Sequence, residues 1–103
     1  MSRYTYISAG SSTTVLSGPG KLYSIHITPV AGSTLLVADS KNLGASPTFN
    51  SDADPSGGVL IGRFGPYGGT TTDYLDFKGA SVNDGITVAA TSNARLTVLY
   101  GEG

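Results

Sequence analysis

Residues 17–28 read SGPGKLYSIHIT and combine two glycines, a lysine and the single histidine of a 103-residue chain. From Leu22 onwards the residues alternate between two sets: Tyr23, Ile25 and Ile27 on one face, and Leu22, Ser24, His26 and Thr28 on the other. Alternation with a period of two is typical of a β-strand that packs one face on a core. The preceding Ser-Gly-Pro-Gly supplies residues that tight turns require. The stretch therefore predicts a turn followed by a strand, with the tyrosine and the isoleucines facing the core.

Glycine, lysine and histidine also occur in phosphate-binding loops and in acid–base catalytic sites, so both of these functions have to be tested against the sequence. A phosphate loop needs G-x-x-x-x-G-K-[ST] before a helix, whereas the residue after Gly20-Lys21 is leucine and the upstream glycine is missing. A catalytic His26 needs a serine and a carboxylate beside it, and the chain has no G-x-S-x-G motif. Asp73 and Asp76 have opposite parity on a strand, which argues against a hydrolytic carboxylate pair. We expect no catalytic residue, no cofactor and no enzymatic activity, with His26 a surface, inter-sheet or interface residue.

Period-two alternation continues along most of the chain and predicts eight short strands. They cover residues 4–8, 13–16, 21–28, 34–39, 59–64, 73–78, 85–90 and 95–101. The segments between them are rich in the glycine, proline, asparagine and aspartate of turns. This spacing predicts an all-β fold: a single small antiparallel β-sandwich, with jelly-roll topology as one arrangement and a barrel as the alternative. Residues 85–100, GITVAATSNARLTVLY, are interpreted as a β-hairpin, because two alternating runs flank a short polar linker.

The composition limits the classes of function. A chain of 103 residues fits one domain, residues 1–103, and the absence of cysteine removes disulfides and thiolate metal sites. Six scattered basic residues and a net charge of −1 argue against nucleic-acid binding. Charged residues make up only 13% of the chain, and such weak self-repulsion favours a homo-oligomer or a larger assembly.

No apolar run approaches the roughly 18 residues of a membrane span, and the start of the chain has no signal-peptide pattern. We expect a protein made in the cytoplasm that does not bind membranes.

Residues 41–58, KNLGASPTFNSDADPSGG, lack sustained alternation and predict a long irregular loop within the domain. Loops longer than about 12 to 15 residues are uncommon in compact domains and are often functional. Leu43 and Phe49 of this loop are expected to pack on the body of the domain or on a neighbouring molecule.

The same loop contains a partial match to a calcium-binding loop. Asp52, Asp54, Ser56 and Gly57 occupy positions 1, 3, 5 and 6 of the EF-hand pattern. Position 12 is Arg63 instead of a bidentate glutamate, and no predicted helix flanks the segment. Asx turns around Asp54 are therefore the favoured interpretation, and no metal site is expected.

Aromatic residues are the main candidates for recognition. The interaction candidates are Tyr4, Tyr6, Phe49 and Tyr67, because amphipathic rings suit sugars and protein partners. Tyr67, in the segment FGPYGG, is expected to be the most exposed. The alternative for the six tyrosines is packing in the core and across strands.

Two segments resemble a group of small virion proteins of tailed bacteriophages. Residues 15–40, VLSGPGKLYSIHITPVAGSTLLVADS, match a GxLxSI strand entry followed by a TLxVxDS strand, and residues 85–103, GITVAATSNARLTVLYGEG, match a closing GxTVxxxxxxxLTVxY pattern. The resemblance implies a capsid decoration or cement protein, bound to the major capsid protein on the outside of the virion. A trimer at a symmetry axis suits that role. The alternative is a head- or tail-fibre subunit or a carbohydrate-binding adhesin module. In the decoration or cement role, edge strands or the N-terminal residues 2–8 can pair with the sheet of a neighbouring molecule.

Overall fold

The chain folds into β-strands joined by turns in the computed structural model, which describes residues 2–9, 12–43, 58–91 and 94–102. Eight strands lie in these ranges: β1 Ser2–Ala9, β2 Thr13–Ser17, β3 Gly20–Thr28, β4 Leu35–Asp39, β5 Val59–Phe64, β6 Asp73–Val82, β7 Gly85–Ala90 and β8 Ala94–Glu102. The prediction of an all-β fold is confirmed.

The strands form two antiparallel sheets that pack into a sandwich. Sheet A has the order β1-β8-β3-β6, and sheet B has the order β2-β7-β4-β5. The pairs β1–β8, β2–β7, β3–β6 and β4–β5 are nested, as though one long hairpin had been folded at the β4–β5 connection. Rolling that hairpin brings β8 beside β3 and β7 beside β4. This is the strand order of a jelly roll, two Greek keys in two facing sheets.

The interpretation of residues 85–100 as a hairpin is wrong. β7 pairs with β2 and β4 in sheet B, whereas β8 pairs with β1 and β3 in sheet A. Alternation indicates only that each strand has a core face, and two strands on opposite sides of one core meet that condition as well as two neighbours do. The linker is bound to the start of β4, because the Thr91 N–H donates to the Thr34 carbonyl and Thr91 Oγ1 accepts from the Thr34 N–H.

The main core lies between the two sheets. Both sheets contribute side chains that are at most 1% exposed: Leu22, Ile25, Ile27, Leu96 and Val98 from sheet A, and Leu35, Val37, Ile86, Val88 and Ala90 from sheet B. Burying a side chain of this size removes apolar area from water and contributes roughly 1.5 to 3 kcal/mol. The alternation of apolar residues in the strands therefore determines which face of each sheet packs against the other sheet.

A β-bulge at Tyr23 changes which residues of β3 face this core. The pairing of β3 with both β6 and β8 shifts between Leu22 and Ser24. An extra residue reverses the parity of the strand before it, so Leu22 is fully buried in the core and Tyr23 is only half-buried. The prediction that Tyr23 faces the core and Leu22 faces away is therefore wrong, whereas it is right for Ile25 and Ile27.

The bulge has a counterpart in β6. Lys78 and Gly79 both have positive φ, 57° and 71°, and the Lys78 N–H donates to Asp76 Oδ1 at 2.9 Å. β6 continues through this irregularity to Val82, four residues beyond the predicted end at residue 78.

Sheet B also buries part of its outer face. Leu36, Ala38 and Ala89 point away from the main core and are at most 1% exposed, packed with Leu43 and the partly buried Leu60. The expectation that Leu43 packs on the body of the domain is thus confirmed, whereas Phe49 lies outside the described residues. β4 and β7 are covered on both sides, which makes sheet B the more deeply buried of the two layers.

Asp39 fixes the turn between β6 and β7 to the end of β4. Its carboxylate accepts the backbone N–H groups of Asn83 at 2.9 Å, Asp84 at 2.8 Å and Gly85 at 3.2 Å. Burial alone would raise the pKa of Asp39, but the three donors together outweigh it and hold the pKa below its ordinary value. A side chain at residue 85 would overlap the carbonyl oxygen of Leu16, so the turn also requires a glycine there.

We expect Asp39→Asn to lower the free energy of unfolding by about 1 to 2 kcal/mol at neutral pH, because charge-assisted hydrogen bonds are lost from a partly exposed group. The folded-state pKa is lowered, so this stability is present above the ordinary pKa of 3.8 and is lost as the pH falls through the folded-state value. Urea unfolding of the wild type and of Asp39→Asn between pH 7 and pH 3 should show that their difference in free energy of unfolding becomes smaller as the pH falls.

Asp84→Asn is the matched control, since it removes one negative charge from the turn that Asp39 binds but leaves the Asp39 carboxylate in place. An equal loss of unfolding free energy in Asp39→Asn and Asp84→Asn would contradict the role given to Asp39. A difference between the wild type and Asp39→Asn that does not change with pH would contradict it as well.

Candidate recognition site

Three loops meet at one end of the sandwich: β3–β4, β5–β6 and β7–β8. The Gly32 N–H donates to the Tyr67 carbonyl at 2.7 Å, and the Tyr67 N–H donates to the Ser33 carbonyl at 2.9 Å. Thr34 and Thr91 join the first loop to the third through their two hydrogen bonds. These hydrogen bonds connect the three loops into a single surface, here called the loop end.

Gly65 allows the β5–β6 loop to approach the β3–β4 loop closely. Its φ is +106°, and a Cβ atom there would lie 2.8 Å from the Ser33 carbonyl oxygen. Both the positive φ and the lack of space exclude a larger residue without rearrangement. The position of the β5–β6 loop is therefore determined by backbone geometry.

The β5–β6 loop and the start of β6 line an open depression of about 250 Å³. It is lined by Tyr67, Gly68, Gly69, Thr71, Thr72 and Asp73. The lining offers a phenol ring, two threonine hydroxyls and one carboxylate, and the two glycines add backbone without side chains. A concave site with a few convergent polar groups is typical of small-ligand binding.

Tyr67 is more buried than its glycine-rich loop predicts. It is half-buried and packs against the main core, so the expectation that it is the most exposed tyrosine is wrong. Its hydroxyl is buried and has no hydrogen-bond partner within the described part of the chain. Burial raises the pKa of Tyr67, and the nearby negative charge of Asp73 raises it further. A buried hydroxyl without a partner carries a desolvation cost that no hydrogen bond in the described residues offsets.

An exposed aromatic pair lies on the outer face of sheet A, near the start of β6. His26 and Tyr74 are directly opposite each other on β3 and β6, with ring centroids 4.6 Å apart and planes inclined at 50°. Tyr74 is 54% exposed. Its position follows from strand parity, because Leu75 and Phe77 pack toward the core. His26 is exposed, which excludes the inter-sheet position among the predicted alternatives, and its neighbour across the strands is an aromatic ring.

The aromatic pair and the pocket are joined by the chain itself. Thr72 and Asp73 of the pocket immediately precede Tyr74, and the Asp73 carboxylate accepts the Tyr74 N–H at 2.9 Å. The hydroxyls of Thr28 and Thr72 lie 3.0 Å apart and connect the end of β3 to the start of β6. By strand parity, however, Asp73 pairs with the core-facing Ile27 and Tyr74 with the outward-facing His26, so the Asp73 carboxylate and the Tyr74 ring lie on opposite faces of β6.

The other predicted site residues lie away from the loop end or outside the described ranges. Tyr4 and Tyr6 belong to β1, where they pair with Leu99 and Thr97 of β8. Asp76 lies at the β6 irregularity, away from Asp73 in the pocket lining. Four predicted site residues fall outside the described residues: Phe49, Asp52, Asp54 and Ser56.

Within the described ranges, no group of three or more histidine, aspartate or glutamate side chains is placed to hold a metal ion. The same part of the chain contains no helix that is long and apolar enough to cross a membrane. Comparison with known proteins finds no match for this chain among protein families, curated proteins or solved structures.

We expect Tyr67→Phe to leave the free energy of unfolding unchanged or to raise it by about 1 kcal/mol, because a buried hydroxyl without a partner costs desolvation energy. Denaturant midpoints measure the effect, and Tyr74→Phe, which changes an exposed ring, is the control. A loss above about 1 kcal/mol in Tyr67→Phe would mean that the hydroxyl is bonded in solution.

Proposed function

We propose that this chain is a non-enzymatic structural protein of a phage virion, a decoration or cement protein on the outer surface of the capsid. Support comes from the resemblance of residues 15–40 and 85–103 to small virion proteins. A compact sandwich with 13% charged residues also suits repeated docking on a shell. The proposed partner is the major capsid protein, and a homotrimer at a symmetry axis is the proposed oligomer.

The observation that carries this proposal is the outer edge of β1, which pairs with no second strand in the described part of the chain. All eight residues of β1 pair in continuous register with β8. The other three sheet edges are irregular, because β6 has positive φ at residues 78 and 79 and the pairings of β2 and β5 each contain a register shift. Bulges prevent edge pairing, whereas a long regular edge presents a row of free N–H and C=O groups.

A regular edge strand is a docking element for an extended segment of a partner. Main-chain hydrogen bonds provide affinity in such strand addition, and alternate side chains provide selectivity. Each contact can be modest, because a capsid repeats it by symmetry and the contacts within one oligomer reinforce each other. The proposed function thus needs no cofactor and no catalytic group.

Particles that lack this chain should be less resistant to heat or to low salt, with infectious survival after heating reduced about tenfold or more. The measurement is a plaque assay after a heat step, with a strain complemented by the wild-type chain as control and mass spectrometry of purified particles. The chain's absence from wild-type particles, together with unchanged survival of the deletion strain, would refute the proposal.

Hydrogen exchange can test the docking edge directly. In the free protein, about half of the β1 amides face away from β8 and should exchange rapidly. On capsids these amides should become protected, whereas the exposed amides of residues 73–77 on the β6 edge should not. Unchanged exchange in β1 while the protein is bound to particles would exclude docking through this edge but not the virion role itself.

A further inference from the structure

We infer that Asp73 and Asp76 block the β6 edge of sheet A against a second copy of this chain, whose β1 edge has the direction needed to pair with it. The two aspartates thereby prevent copies of the protein from joining sheet to sheet. These contacts are independent of the capsid role, because they involve only copies of this chain.

The strand order of sheet A makes its two edges complementary. β1 runs antiparallel to β8, β8 to β3, and β3 to β6, so β1 and β6 run in opposite directions. A second copy in the same orientation would therefore place its β1 antiparallel to β6, and one sheet A would continue into the next. Because the two edges differ, each added copy would present a new β6 edge, and such heterologous contacts build filaments unless they close into a ring.

The first half of β6 is a segment that favours such pairing. Residues 73–76 pair with β3 without a register shift, and Tyr74, Leu75 and Phe77 are residue types enriched in strands. Beyond Phe77 the positive φ values of residues 78 and 79 interrupt the edge. An added strand would therefore have to pair with residues 73–77, DYLDF.

The two aspartates occupy backbone donors at both ends of this segment. The Tyr74 N–H donates to Asp73 Oδ1, and the Lys78 N–H donates to Asp76 Oδ1, each at 2.9 Å. β6 is the last strand of sheet A, so backbone donors that do not pair with β3 point to its outer edge. Hydrogen bonds to a carboxylate are charge-assisted and strong. An added strand would have to break both of these bonds before it could form its own.

The same aspartates place negative charge along the edge. Both residues are exposed, and charged side chains on an edge strand are one of the means by which β-proteins prevent sheet extension. An added strand would bring its carbonyl groups close to the two carboxylates and remove water from them, which costs free energy. Of the two edges of sheet A, β1 is therefore the one that is suited to a partner.

The test uses the full-length chain with the double substitution Asp73→Ala and Asp76→Ala, which removes both carboxylates from exposed positions. We expect sedimentation velocity to give a weight-average mass about threefold or more above that of the wild type at about 100 μM, and a mass that increases with concentration. In the assembled double variant, hydrogen exchange should show new protection in β1 and in residues 73–77.

The matched control combines Asp84→Ala with Glu102→Ala, which removes two exposed carboxylates as well but leaves Asp73 and Asp76 in place. It should keep the mass of the wild type. An equal increase in mass in this control would overturn the inference, and so would a wild-type mass of the double variant at every concentration. New protection confined to segments other than β1 and residues 73–77 would overturn it too.

The wild-type chain provides a second test, because its β1 can pair with an unblocked β6 edge while its own β6 edge stays blocked. Adding an equimolar amount of wild type should lower the weight-average mass of the assembled double variant about twofold or more, whereas adding more double variant should raise it. An unchanged mass after addition of wild type would contradict the inference.

Far-ultraviolet circular dichroism and the urea midpoint establish whether the double variant folds. If it does not fold, the single variants Asp73→Ala and Asp76→Ala decide the question. A mass above that of the wild type in either single variant supports the inference, and a wild-type mass in both overturns it.

Discussion

Burial of the two inner sheet faces against each other is the constraint on which the rest of this structure depends. Without cysteines, the chain has no covalent cross-link, so apolar burial between the sheets has to provide most of the stability. The nested pairing of strands satisfies that requirement in a chain of 103 residues, because every strand has a partner in its own sheet and the inner faces meet a second sheet. The Asp39 carboxylate and the glycines of the turns then fix how the chain passes from one layer to the other.

The sequence predicted the strands well because alternation is a local property. All eight predicted strands are present, and most of their bounds lie within two residues of those observed. Pairing was not predictable, because alternation contains no information about which strand lies beside which. The hairpin at residues 85–100 failed for this reason, since its two strands lie in opposite sheets. The bulge at Tyr23 also escaped detection, because it depends on the neighbouring β6 and β8.

The candidate site was predicted only in part. Tyr67 was singled out from the sequence, but its packing on the main core and its backbone hydrogen bond to Ser33 join it to residues more than thirty positions earlier in the chain. The pairing of His26 with Tyr74 needed the register between β3 and β6. Strand parity did contain one usable signal, because the apolar Leu75 and Phe77 imply that Tyr74 faces solvent.

The nested pairing also places the two ends of the described chain side by side. Ser2 pairs with Gly101, and Gly20 pairs with Glu102, whereas Thr28 and Arg95 pair at the loop end. Both ends of the described chain therefore emerge at the pole opposite the pocket. A fusion partner attached through a short linker at either end would be held away from the loops, which makes this fold a convenient scaffold for presenting altered loop sequences.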